Sequence, residues 1–200
     1  MEYGNGTTNQ LVWRETENRY HNEEFLVTPD NPNVNVAILS GYVKSGDKIL
    51  DIGCGEGKFG KILSEKKCEM TGVDLDEAAA QIAKQRSGYN HVYLFNVEND
   101  EIPEEFLRFK EEKFDKIAML DVLEHVINPT AVIYNIIPFL KDSGSILISI
   151  PNVNNADILL GLLNDKFNYR EAGVLDNTHT KYFQVLVVNI LCRKPYNDSP

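Results

Sequence analysis

The sequence predicts a doubly wound α/β fold, a mostly parallel central sheet with helices on both faces. Three observations lead there. Short apolar runs alternate with amphipathic stretches through the middle of the chain. The runs carry Ile, Val and Leu on both faces, as strands covered on two sides do. The first run ends in a glycine-rich loop, ILDIGCGEGKFG, with four glycines between Gly53 and Gly60. A backbone so rich in glycine passes close to another group.

In chain order, residues 1–30 are polar and predict a loosely ordered arm, with Trp13, Tyr20 and Phe25 able to dock on the domain. A single domain is expected over 31–194 and a polar tail over 195–200. PNVNVAILSGYV (32–43) predicts a short helix entering the core. KILDIG (48–53) is a strand, KFGKILSEK (58–66) a helix and MTGVDL (70–75) the next strand. EAAAQIAKQ (77–85) is helical, and HVYLFN (91–96) and FDKIAML (114–120) are strands. PTAVIYNIIPFL (129–140) is helical and SILISI (145–150) extended. Strand and helix alternating at these lengths build a parallel sheet. Beyond it, ADILLGLL (156–163) predicts a helix, FNYREAGVLDNTHTKYF (167–183) is irregular, and VLVVNILC (185–192) is one more buried strand.

Composition narrows the function. Acidic residues outnumber basic ones thirty to twenty, for a net charge of −10. No stretch gathers more than two adjacent Lys or Arg, which argues against nucleic acid and for a small-molecule substrate. Cys54, Cys68 and Cys192 lack CxxC spacing, so the expected compartment is a reducing cytoplasm. The N-terminal MEYGNGTTNQ has no signal-peptide character, and no apolar run reaches the roughly 20 residues that cross a bilayer.

Three ligands compete for the glycine loop. A phosphate-binding P-loop needs GxxxxGK before Ser or Thr, but Phe59 follows Gly57-Lys58 and Ile52 stands where the first glycine belongs. A dinucleotide fingerprint fits Gly55, Gly57 and Gly60, with Asp74 ending the next strand as the ribose ligand. That reading makes an NAD-dependent oxidoreductase. The third uses the longer pattern D-x-G-x-G-x-G, over Asp51, Gly53, Gly55 and Gly57.

This pattern resembles the first motif of the class I S-adenosylmethionine-dependent methyltransferases. DVLEHV (121–126) after the fourth strand and SIPNVNN (149–155) after the fifth extend the resemblance. It implies a Rossmann-like methyltransferase fold with S-adenosylmethionine as cofactor and S-adenosylhomocysteine as product. The cofactor would lie on Asp51, Gly53, Cys54, Gly55 and Gly57. Asp51 would face its ammonium group, and Asp74, beside Leu75, its ribose hydroxyls. Asn96 and Val97 would lie near the adenine, and Asp121 would close the pocket.

Asp121, Glu124 and His125 are spaced i, i+3 and i+4, so one helical turn would point all three the same way. One reading is structural, with Glu124 capping or pairing and His125 packing on the sheet. The other adds His179 from DNTHTKYF and makes a divalent-metal site, for magnesium or a similar ion, of Asp121, Glu124, His125 and His179. The segment resembles the E-x-x-E-H of small-RNA terminal-ribose methyltransferases and of ubiquinone-pathway O-methyltransferases, with Asp121 one methylene shorter than their first Glu. Without a metal, His125 or His179 would be the general base, with Glu124 as a further acceptor-side candidate. The stretch from Phe167 to Phe183 resembles methyltransferases associated with surface polysaccharides, which implies a sugar or glycan-precursor hydroxyl as acceptor. Phe167, Tyr169 and Tyr182 are candidates for the acceptor pocket or for the core.

Seventeen residues follow Phe183, where class I methyltransferases usually have a helix and a two-stranded hairpin. The expectation is a shortened C-terminal hairpin, whose open sheet edge invites a homodimer. A cytoplasmic O-methyltransferase acting on a small polar acceptor is therefore expected. The alternatives are the NAD-dependent oxidoreductase, a shortened cofactor-binding protein with little activity, and an RNA ribose methyltransferase.

Overall fold

The computed structural model describes residues 35–184 except 87, 99–100 and 172. The expected arm, the strand at 185–192 and the polar tail lie outside the described residues, and so does the question of a shortened hairpin. Five strands form one sheet: β1 (Lys48–Ile52), β2 (Glu69–Asp74), β3 (His91–Leu94), β4 (Phe114–Leu120) and β5 (Leu140–Ser149). Their order is β3-β2-β1-β4-β5, and every pairing is parallel. The described helices are α1 (Asn35–Ser40), α2 (Lys58–Leu63), α3 (Glu77–Gln85), α4 (Glu104–Leu107), α5 (Phe109–Glu112), α6 (Pro129–Ile136) and α7 (Ala156–Leu162).

Both sheet faces are covered because β1 is apolar on both. Leu50 and Ile52 join a large cluster with Phe95, Phe106, Phe109, Phe114 and Phe139, while Ile49 joins Val43, Phe59, Leu63 and Met70. Side chains alternate across a strand, so consecutive residues feed opposite layers. Helix starts follow their caps. The Asp76 carboxylate accepts the Ala78 and Ala79 N–H groups to open α3, and Asn128 accepts the Ala131 N–H ahead of Pro129 to open α6.

Three elements depart from expectation. β5 begins at Leu140 rather than Ser145, because the chain leaves the 3₁₀ turn Ile137–Phe139 already paired with Phe114, across a register shift. Of the helix expected over 32–43, the described residues show Asn35–Ser40 as α1, and the chain turns at Gly41 and Tyr42. The unassigned stretch before β4 forms α4 and α5, which bury Phe106 and Phe109 under the sheet.

Strand order reverses between β1 and β4. In open parallel sheets, ligands bind in the crevice beyond the carboxyl ends of the strands at such a reversal. Asp51 is the second-to-last residue of β1, Asp74 ends β2 and Asp121 follows β4. The topology thus gathers the sequence-selected acids at one end of the sheet.

Candidate functional site

The glycine loop joins β1 to α2. Its Gly53 and Cys54 N–H groups both donate to Val73 O, at 2.8 and 3.1 Å, which keeps the loop in register with β2. Gly53, Gly55 and Gly57 all have positive φ, at 69°, 50° and 84°. That region favours glycine, and three such positions close together let the backbone turn back on itself. A Cβ at Gly55 would meet no protein atom within 4 Å. The loop is therefore a cradle open on the side where Gly55 lacks a side chain.

Asp74 pins this cradle. One carboxylate oxygen accepts the Gly55 N–H at 2.6 Å and the other the Asp76 N–H at 2.9 Å. Each oxygen has two lone pairs, so the carboxylate has capacity for further donors. Burial raises its pKa, and the two backbone N–H bonds oppose that rise. Next to it, Leu75 is 54% exposed, an apolar side chain at the rim of the cradle. Cys54 is buried and its thiol is pushed up by burial, so it is packing and not a nucleophile. Asn96 Oδ1 accepts the Glu98 N–H at 2.9 Å, and Val97 leans on the core beside it.

Asp51 lies beneath the loop and is 2% exposed. Burial pushes its carboxyl up to about 7, against a hydrogen bond from Tyr89 that lowers it, with Asp74 adding to the rise. The Tyr89 hydroxyl donates to Asp51 Oδ2 at 2.5 Å and accepts the Gly60 N–H at 3.2 Å. Sequence reasoning missed Tyr89, because no local pattern marks it. The available signal was indirect: Gly60 and Gly72 have no positive φ, and a Cβ at either would strike the Tyr89 ring or Cys54. Gly60, the third glycine of the dinucleotide pattern, makes room for this ring.

Beyond the end of β4, residues 176–183 dock onto 121–126. Thr180 and Lys181 donate their N–H groups to Glu124 O, at 2.8 and 3.1 Å, and Thr180 Oγ1 bonds Val126 O at 2.9 Å. This brings His179 against His125, with ring centroids 4.9 Å apart and edge-on. Glu124 is 1% exposed, and among the described residues neither carboxylate oxygen has a hydrogen-bond partner. Burial pushes it up to about 8, and Asp121 and Asp176 add to the rise. Burial also lowers the His125 pKa, with His179 next, so the ring is neutral near pH 7.

Tautomers follow from the partners. His179 Nδ1 is 3.1 Å from Val174 O, which only accepts, so Nδ1 carries a proton and, in the neutral form of the ring, Nε2 holds the lone pair. Thr178 Oγ1 donates its single proton to Asp176 Oδ1 at 2.7 Å, so His125 Nδ1, 3.4 Å away, is the donor to Oγ1. Two imidazole lone pairs and an unpartnered carboxylate thus occupy one site. Glu124, His125 and His179 each bring a ligand atom within 4.8 Å of the others.

Asp121 does not join them, which corrects the four-ligand expectation. Its φ of 56° is left-handed, so 121–125 is not one helical turn and the i, i+3, i+4 alignment fails at its first member. The Asp121 carboxylate instead accepts Asn35 Nδ2 at 2.5 Å and Ser149 Oγ at 2.8 Å, linking β4, β5 and α1. The expectation that Glu124 caps or pairs also fails, since its side chain does neither. Phe167, Tyr169 and Tyr182 pack on one another at 5.6–6.3 Å, and Tyr182 lies 6.3 Å from His179. Phe167 and Tyr169 are exposed, so they are not core.

Comparison with known proteins follows the same lines. Residues 31–186 match the family described as a methyltransferase domain. The ubiquinone biosynthesis O-methyltransferase of Alkalilimnicola ehrlichii is 30% identical over 125 residues, covering 61% of this chain and 49% of that protein. The enzyme of the same name from Glaesserella parasuis is 37% identical over 112 residues, covering 54% and 46%. The chain spans about half the length of these curated relatives. A SAM-dependent methyltransferase from Archaeoglobus fulgidus superposes with a TM-score of 0.57 at 20% identity, covering 78% of this chain and 64% of that one. One from Thermotoga maritima gives 0.56 at 20%, covering 78% and 66%. At such identities these structures speak for the fold alone. No helix among the described residues is long and apolar enough to cross a membrane. The match selects the methyltransferase reading of the glycine loop over the dinucleotide one, and on it the chain belongs to the class I S-adenosylmethionine-dependent methyltransferase family.

Proposed function

We propose that the chain is an S-adenosylmethionine-dependent O-methyltransferase acting on a hydroxyl of a small polar acceptor, with a sugar or glycan precursor as the favoured class. The observation that carries this is the open glycine cradle pinned by Asp74, at the same end of the parallel sheet as the Glu124, His125 and His179 group that follows β4. The cradle fits the cofactor, since Gly55 leaves space that no protein atom fills and Asp74 keeps acceptor capacity for ribose hydroxyls. Gly53, Cys54, Gly55 and Gly57 would follow the amino-acid portion with their backbone, and Asp51 would face the ammonium. Asp74 and Leu75 would take the ribose and one adenine face. Asn96, Val97 and Asp121 complete the assignment. The named relatives are O-methyltransferases, which supports oxygen as the methylated atom.

When bound, the cofactor supplies a methyl group on a positively charged sulfur. The protein's work is to align the acceptor oxygen with that methyl and to take its proton. His125 or His179 would take the proton of the acceptor hydroxyl through an Nε2 lone pair. Tyr169 and Tyr182 offer a stacking surface beside these rings for a sugar face. The unpartnered Glu124 carboxylate and the two lone pairs also fit a divalent cation, which Glu124, His125 and His179 would hold. Such an ion would lower the pKa of the acceptor hydroxyl. The net charge of −10 weighs against RNA as acceptor.

Calorimetric titration of S-adenosylhomocysteine and of NAD into the purified protein tests the cofactor. The expected result is binding of the first alone, abolished in Asp74→Ala. Binding of NAD alone, or indifference to Asp74→Ala, overturns the assignment. A screen of hydroxyl acceptors with radiolabelled methyl donor then tests the acceptor class, and methylation of amines or RNA in place of hydroxylated small molecules would refute it.

A further inference from the structure

We infer that Tyr89 is a positioning residue of the cofactor site, its hydroxyl holding Asp51 so that the second carboxylate oxygen, Oδ1, meets the cofactor's ammonium. The inference rests on the reading above that Asp51 faces that group.

Tyr89 follows α3, remote in sequence from the glycine loop, yet two glycines of α2 and β2 are shaped around it. A Cβ at Gly60 would lie 2.2 Å from the Tyr89 ring, and one at Gly72 would lie 3.1 Å from the ring and 2.8 Å from Cys54 Sγ. Neither glycine has a positive φ, so backbone conformation does not call for it. Glycine is unfavourable inside helices and strands, and here it makes room for the Tyr89 ring. A third, Gly57, would bring a Cβ to 3.1 Å from the same ring.

The hydroxyl is fully committed. It donates to Asp51 Oδ2 and accepts the Gly60 N–H, a first-turn donor of α2 with no intrahelical partner. The ring alone would satisfy the packing, whereas only the hydroxyl gives a buried carboxylate a donor. The titratable groups facing Asp51 among the described residues are Tyr89, Cys54 and Asp74. None of them is a cation, so Tyr89 is the side chain that favours the ionised form of Asp51. An ammonium ligand needs that form.

The test is calorimetric binding of S-adenosylhomocysteine between pH 6 and 9 to wild type, Tyr89→Phe, Asp51→Asn and the double variant. Phenylalanine keeps the ring, so packing is retained. Tyr89→Phe is expected to bind about 10-fold more weakly at pH 7, the loss expected for a charge-assisted hydrogen bond. Its affinity should recover towards pH 9, and the substitution should add nothing in the Asp51→Asn background. Wild-type affinity and pH profile in Tyr89→Phe, with Asp51→Asn impaired, would overturn the inference and leave the site reading standing. An equal loss in both backgrounds would make Tyr89 structural and overturn it as well, as would a Tyr89→Phe chain that fails to fold. If Asp51→Asn and Asp74→Ala both bind like wild type, the site reading itself fails and takes the inference with it.

Discussion

Replacing Glu124 by glutamine should stabilise the protein, and increasingly so as the pH rises. The side chain is 1% exposed with both oxygens unpartnered, and burial lifts its pKa from the ordinary 4.5 to about 8. An acid with a raised folded pKa binds a proton more tightly folded than unfolded. Stability is therefore fully present below 4.5 and is lost as pH climbs from there to about 8. A gap of roughly 3.5 pH units corresponds to about 5 kcal/mol in full, of which about 4 kcal/mol falls between pH 5 and pH 9. That is a large share of the roughly 5–15 kcal/mol that holds an ordinary domain together. Glutamine is isosteric and cannot ionise, so the wild-type minus variant difference isolates this one group. Asp51 and Asp74 titrate in both proteins and cancel. Urea unfolding of wild type and Glu124→Gln in EDTA at pH 5, 7 and 9 measures it. The variant should gain about 4 kcal/mol on wild type across that range. A difference that does not change with pH would mean that Glu124 meets water or a donor, and would remove the basis for treating it as an unsatisfied acceptor.

Three further outcomes follow from the same geometry. Gly60→Ala places a Cβ 2.2 Å from a ring that Asp51 holds in place; overpacking of about 1–3 kcal/mol should exceed the gain in helix propensity, read as a lower urea midpoint. Phe106→Ala removes a 1% exposed ring that meets Tyr93, Phe95, Phe109 and Phe139 edge-on at 5.1–5.2 Å; the loss should be about 3–5 kcal/mol, and an unchanged midpoint would refute the aromatic cluster as core. Manganese or magnesium added to EDTA-treated protein should raise the melting temperature by several degrees at pH 8, by mass action on the folded state. His179→Ala should abolish that rise, and a rise that persists in the variant would place the ion elsewhere.

The strands were legible because burial on both faces leaves Ile, Val and Leu no polar interruption. β4 coincides with the FDKIAML run, and α3 starts where Asp76 caps it. What failed was set by contacts distant in sequence. Nothing near Leu140 signals that β5 begins there, because its pairing partner is Phe114. Nothing near Asp121 signals a left-handed φ, which comes from its place between Asn35 and Ser149. The glycines of the loop were visible, but the reason for Gly60 was not, since it is a tyrosine 29 residues further on. His179 was reached from its residue type, as a possible metal ligand, and from resemblance, not from any signal of spatial proximity. Its approach to Glu124 depends on two backbone N–H bonds from Thr180 and Lys181 that no pattern of residue types encodes.

The two halves of the crevice are built on opposite principles. On the proposed cofactor side donors converge on carboxylates: the Gly55 and Asp76 N–H groups on Asp74, and the Tyr89 hydroxyl on Asp51. That half is assembled by the fold itself. On the proposed acceptor side Glu124 comes together with the imidazoles of His125 and His179, and among the described residues its side-chain oxygens meet no partner. Protonation of Glu124 is the simplest relief in the free protein; under the proposed function a cation or an acceptor hydroxyl would be the relief during turnover. Asp51 at about 7 and Glu124 at about 8 then act in the same sense. Both are stabilising when protonated and useful when ionised, so raising the pH prepares the site while it weakens the fold. Ligands reverse that conflict, because an ammonium on Asp51 or a cation on Glu124 binds only the folded, ionised form. Carboxylates left in this condition are poor choices for stability and good ones for binding, which is the physical reason to look for function at this end of the sheet.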